Sequence, residues 1–308
     1  MHDHAHASLS FGQGILLLPF AAAALIYLAA AIAESVRGRP WPWWRTGCWV
    51  AGLGLTALAL SPLTLAPADR PFTGHAVGHL LIGMVAPLLL VLAAPVTLAL
   101  RSFALQPARR LSRALRSVPV RVVTHPVVAA LLSVGSLWML YTSPLYAATG
   151  DPLIHLLVML HFLVAGCLFT AAVAPVDPAP HRASLRVRVV VLILALAAHG
   201  ILAKTLYASA FSSTSGSNHS GGLSALIQVP AVAVADLQAG AQVMYYGGDA
   251  VDLVLLALVL LGWYRSRERR RSARLPAGRA SAGRTSAGRT SDCAEKATVA
   301  AASRKETP

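Results

Sequence analysis

HAVGHLLIGMVAPLLLVLAAPVTLALR, His75–Arg101, carries no Asp, Glu, Lys or Arg before its closing arginine. A helix needs about 20 apolar residues to cross a hydrocarbon core about 30 Å thick, and this stretch exceeds that length. It shows no period-two alternation, which excludes a strand of a membrane barrel, whose strands are about half as long. Working outward from it, the expected spans lie near Gln13–Ala33, Thr46–Ala66, Ala76–Leu100, Val127–Ala147, Leu153–Ala174, Val187–Ser209 and Ala239–Tyr264. Leu223–Ala235 is apolar but too short to span and contains Pro230, so it reads as an interfacial or re-entrant piece. The predicted fold class is all-α, a polytopic membrane bundle of about seven transmembrane helices.

Composition agrees with a lipid solvent. Of 308 residues 56% are hydrophobic and only 12% are charged, far above the apolar share of a soluble domain. The net charge of +14 sits in short runs between apolar segments rather than on one face that could track phosphate, so no nucleic-acid partner is expected. Arg37, Arg39 and Arg45 fill the first loop, Arg101 to Arg121 the third, Arg182, Arg186 and Arg188 the fifth, and the tail begins at Arg265. Only Arg70 and Lys204 of the 26 basic residues fall elsewhere. Basic flanks resist translocation. The amino terminus is therefore expected outside and the carboxyl terminus in the cytoplasm of a bacterial plasma membrane.

Three segments follow: residues 1–12, an extracytoplasmic histidine-bearing terminus; 13–265, the membrane domain; and 266–308, a basic cytoplasmic tail. Ala-Gly-Arg-(Ala/Thr)-Ser repeats within that tail buries too little apolar surface to fold and predicts disorder, with anionic lipid as a resting surface. Trp41, Trp43, Trp44 and Trp49 beside the first loop, and Trp263 with Tyr264, read as interfacial anchors. Cys48, Cys167 and Cys293 are too dispersed for a disulfide framework or thiolate site. The amino terminus lacks a basic n-region, so the first helix is expected to remain as an anchor.

Ionisable groups inside a membrane face the bundle interior and mark function. His75 and His79, at i and i+4 near the outer end of the third span, share one helix face at a spacing suited to a metal ion. His155 and His161 enter the fifth span from the same side, but their six-residue offset rotates them about 120° apart. His199 lies about 13 Å deep in the sixth span. Two tiers are expected: His75, His79, His155 and Asp236 near the surface, and His161 with His199 below. Imidazole suits copper, zinc, iron and nickel, and methionine sulfur at Met84, Met159 or Met244 would favour Cu(I). Each methionine also has a plain packing role open to it, and each histidine a hydrogen-bonded structural one. Asp249 and Asp252 lie within the last apolar run, as ion relays or interhelical hydrogen-bonding groups, with Lys204 a partner or a snorkelling cation. His2, His4 and His6 form an exposed tract. No Walker loop, dinucleotide fingerprint, G-x-S-x-G elbow or H-E-x-x-H pair is present, and no enzyme activity is expected.

Three blocks of sequence carry a resemblance: His75–Arg101, Tyr141–Pro178 with "YTSPLY", His155, His161, Gly166 and "PVDP", and "DLQAG" at Asp236–Gly240 leading to "YYGGD". Together they resemble the multi-span cytochrome c oxidase assembly factor of the caa3 type, the CtaG family, over about residues 70–265. The family commonly reads Asp-Gln-Gln where this chain has Asp236-Leu237-Gln238. The resemblance implies help in maturing the copper centres of a haem–copper oxidase, with oxidase subunits as partners; together with the histidines it makes copper the expected bound metal. A metal permease, a haem b electron carrier and a metal-free scaffold are the competing readings.

Overall fold

The computed structural model describes residues 11–60, 70–179, 181–212 and 234–302, and it contains helices and no strand among them. In chain order these are α1 (Phe11–Val36), α2 (Trp43–Leu60), α3 (Pro71–Ser102), α4 (Leu105–Leu115), α5 (Val118–Val123), α6 (Pro126–Thr142), α7 (Leu145–Ala148), α8 (Pro152–Val173), α9 (Leu185–Ser212) and α10 (Val234–Ala302). Five are long and apolar enough to cross a membrane: Leu17–Val36, Pro71–Ser102, Pro152–Val173, Leu185–Ala210 and Val234–Glu268. The chain is thus a multi-pass α-helical membrane protein. The expected second span corresponds to α2, whose Trp-Trp-Arg start lowers its hydropathy and whose predicted end lies outside the described residues. The expected fourth span corresponds to the shorter apolar α6, which ends where Ser143 turns extended ahead of Pro144. The His2, His4 and His6 tract and most of Leu223–Ala235 lie outside the described residues.

α3 is the element on which the others pack. α2 and α8 both lie against it, and α8 also contacts α6. Small residues let these backbones approach, as membrane interfaces require. A Cβ on Gly166 of α8 would overlap the Gly83 carbonyl oxygen, and one on Gly52 of α2 would come within 2.9 Å of Leu90 Cδ2. On α10, Gly240 faces Phe72 and Gly247 faces Leu80 in the same way.

Three local features shape α3. A π turn occupies Leu81–Val85, with the Ala86 N–H donating to the Leu81 carbonyl five residues back. A second π turn, Leu131–Gly135, lies in α6. Toward the basic end the expected continuous span breaks at Ala94, which is left-handed at φ 53°, a conformation costing a residue with a Cβ about 1–2 kcal/mol. Surrounding bonds hold the break. The Tyr27 hydroxyl donates to the Ala93 carbonyl at 2.7 Å and itself accepts from Trp41 Nε1 at 3.0 Å. Pro95 then restarts the helix, where its missing N–H costs nothing.

The chain divides into two compact units, Met1–Val259 and Leu260–Pro308. The helix runs on to Ala302, whereas composition alone predicts disorder there. Alanine and arginine, frequent in this stretch, have high intrinsic helix propensity. Within the second unit the Arg267 guanidinium stands 5.0 Å over the Trp263 ring.

Candidate functional site

The first half of α3 presents His75 and His79 one turn apart, and their ring centroids are 4.6 Å from each other. His155, half-buried in the first turn of α8, brings a third ring to 6.1 Å from that of His75. Aromatic groups wall the cluster. Tyr146 of α7 stands edge-on to His75 at 4.9 Å, and Phe162 of α8 edge-on to His79 at 4.4 Å. Tyr141 lies 6.3 Å and 6.4 Å from the two histidine rings. Burial, and Asp236 nearby, push the Tyr146 phenol up to about 12, so it stays an uncharged donor. The Nε2 atoms of both His75 and His79 are buried with no hydrogen-bond partner. Buried polar atoms are nearly always paired, so two orphans on neighbouring rings mark an unmet demand for a partner. In the tautomer that leaves Nε2 unprotonated, each of these imidazoles has a lone pair of the kind that copper accepts. Among the described residues, no three His, Cys, Asp or Glu side chains are placed to hold one ion together.

The other expected ligands lie elsewhere. His161 is exposed on α8, with Nε2 3.1 Å from the Leu132 carbonyl of α6. Its six-residue offset from His155 rotates it about 120° from that ring. His199 is buried, and its Nε2 lies 3.1 Å from the Met244 carbonyl of α10. A carbonyl can only accept, which makes Nε2 the protonated nitrogen and leaves Nδ1 as an acceptor. Gly248 allows this ring to fit: a Cβ there would come within 2.6 Å of His199 Nε2.

Asp236 caps a helix. Its carboxylate accepts from the Phe72 N–H at 2.9 Å, the Thr73 N–H at 3.0 Å and the Thr73 hydroxyl at 2.6 Å. These are orphan donors at the start of α3, whose Arg70 N-cap supplies no side-chain bond. Asp177 repeats the arrangement at the Pro95 restart, accepting from the Val96 N–H at 3.3 Å, the Thr97 N–H at 2.8 Å and the Thr97 hydroxyl at 2.6 Å. Sequence reasoning missed Asp177 in this role. Its signal is the repeated Pro-x-Thr of Pro71-Phe72-Thr73 and Pro95-Val96-Thr97. Lys204 sits with Nζ 5.1 Å over the Tyr245 ring.

The chain is 30% identical over 185 residues to an uncharacterized protein of Mycobacterium leprae, covering 56% of this chain and 28% of that protein. It is 33% identical over 171 residues to an uncharacterized protein of Mycobacterium bovis, covering 52% of this chain and 25% of that one. The chain thus spans about a quarter of the length of these curated relatives. No solved structure matches it. The model of one family covers residues 25–266, which includes the histidine cluster, both aspartate caps and both π turns: the chain belongs to the cytochrome c oxidase caa3 assembly factor family, Caa3_CtaG.

Proposed function

We propose that this chain is a non-enzymatic assembly factor that receives copper on His75 and His79, with His155 at the entrance, and delivers it to a haem–copper oxidase. The two orphaned, adjacent imidazole nitrogens carry the reading, and membership of the family supplies the oxidase. Copper is cargo, so its release is by ligand exchange. The same reading has α2 and α6 cross the bilayer, giving seven spans, with the amino terminus outside and the carboxyl terminus cytoplasmic in a bacterial plasma membrane. Support comes from the basic residues, which fall almost wholly on alternate connections. Asp236, in this reading, places α3 and does not bind the ion.

A permease would need polar groups continuing toward the basic end. The core there is built from residues such as Leu88, Phe169, Val173, Leu192 and Val259, which weighs against it. The test is Cu(I) titration of purified protein beside a His75→Ala/His79→Ala variant, with oxidase activity measured in cells carrying each. Loss of binding together with loss of copper-replete oxidase is expected. Equal binding by both proteins removes the pair from the site, and a Soret band in the purified protein would replace copper with haem.

A further inference from the structure

Next to the histidine cluster lies a partly open cavity of about 40 Å³, larger than the roughly 10–15 Å³ that one water needs. Its wall includes His79, Met84, Ser133, His199, Met244 and Asp252. Two thioethers and two imidazoles on one small space are a soft donor set. Both π turns border it, Leu81–Val85 through Gly83 and Met84, and Leu131–Gly135 through Ser133 and Val134. Such turns recur at functional sites. The one in α3 also explains Met84. Five residues past His79, it would be rotated well away in a regular α-helix, whereas a π turn fits an extra residue and brings it to the same chamber.

Charge is provided for as well. Asp252 is the one carboxylate among the lining residues; it is 3% exposed and its Oδ1 has no hydrogen-bond partner. A cation taken out of water needs a compensating charge close by. One carboxylate neutralises a monovalent ion and leaves a divalent one half-compensated, so charge and donor softness agree on Cu(I) over zinc. His79 borders both the outer cluster and the cavity.

We propose that this cavity is the resting position of the cargo ion, with Met84, Met244 and His79 as its donors and Asp252 as its counter-charge. The proposal rests on the copper reading above. An ion enters at His75, keeps its bond to His79, and exchanges His75 nitrogen for methionine sulfur. No electron is transferred. His199, fixed by the Met244 carbonyl, holds the backbone of one sulfur donor in place.

The test is X-ray absorption at the copper edge on purified full-length protein loaded with one equivalent of Cu(I) under reducing conditions. Sulfur neighbours are expected in the wild type. A Met84→Leu/Met244→Leu variant, volume-conserving and expected to fold, should lose them while retaining copper on nitrogen. Asp252→Asn should weaken Cu(I) binding by about thirtyfold or more, as when one partner of a desolvated charge pair is removed. Stoichiometric copper with only nitrogen or oxygen neighbours in the wild type overturns the inner site and leaves the outer one standing. Unchanged affinity in Asp252→Asn overturns the counter-charge. Absence of copper from the wild type overturns both the inner site and the proposed function.

Discussion

Replacing Asp236 separates a capping role from a ligand role. Its carboxylate accepts two backbone N–H groups at 2.9 and 3.0 Å and one hydroxyl at 2.6 Å. Hydrogen bonds to a charged acceptor contribute about 1.5–3 kcal/mol each, so losing the two N–H bonds puts Asp236→Ala at about 3–6 kcal/mol of destabilisation. The hydroxyl bond adds little to this range, because Thr73 also reaches the Asp236 carbonyl at 3.2 Å. Asp236→Asn keeps one acceptor oxygen and should cost about 1–2 kcal/mol. Since His75 is less than two turns from Pro71, fraying the start of α3 also loosens the cluster. Reversible unfolding in mixed micelles, followed by helical circular dichroism, measures the first effect, and Cu(I) titration of the folded fraction the second. The expected ranking is wild type, Asn, then Ala in stability, with Cu(I) affinity falling in parallel. An alanine variant as stable as wild type yet unable to bind copper would refute the capping argument and restore Asp236 as a ligand.

Other outcomes follow from the same geometry. Asp177→Ala should destabilise the chain by a similar few kcal/mol, about 2–5, while leaving Cu(I) affinity within about twofold, because its cap lies at the far end of α3; a binding loss matching that of Asp236→Ala would contradict this. Gly166→Leu places a side chain where the Gly83 backbone already lies, so folded yield in micelles should collapse, whereas Gly54→Ala, with nothing within 4 Å of its Cβ position, should be neutral. His161→Ala should leave Cu(I) stoichiometry unchanged, since its ring faces outward; a lost ion would return it to the site. The Tyr146 phenol, raised by burial and then by Asp236 to about 12, ionises more readily in the unfolded chain, near pH 10. Its contribution is therefore full below about pH 10 and lost as pH rises toward about 12. Tyr146→Phe should flatten that part of an unfolding-versus-pH curve.

How far the sequence could be read depended on the range of each interaction. The apolar runs locate the spans because hydrocarbon burial is a local property of twenty consecutive residues. The i, i+4 pair His75 and His79 was legible for the same reason, and so was the rotation that separates His161 from His155. Tertiary pairings were not. Hydropathy and charge group Asp236 with the histidines at one expected end of the bundle, yet its partners are 163 and 164 positions away. Asp177 was passed over although it does the same for Thr97 from 80 positions away. The π turns left no periodic trace, and without them Met84 falls on the wrong face of its helix. The break at Ala94 also escaped notice, because alanine gives no sign of a left-handed backbone where glycine would.

The two Pro-x-Thr sequences, each met by a distant aspartate, have a mechanical consequence. α3 is fastened at its beginning to α10 and at its Pro95 restart to the segment following α8. With one anchorage on each side of the Ala94 break, neither part of α3 can slide lengthwise or spin without tearing charged hydrogen bonds. If the chain carries copper as proposed, an ion would move along its flank by swivelling side chains within a stationary frame, and a crosslink freezing the backbone should leave loading intact.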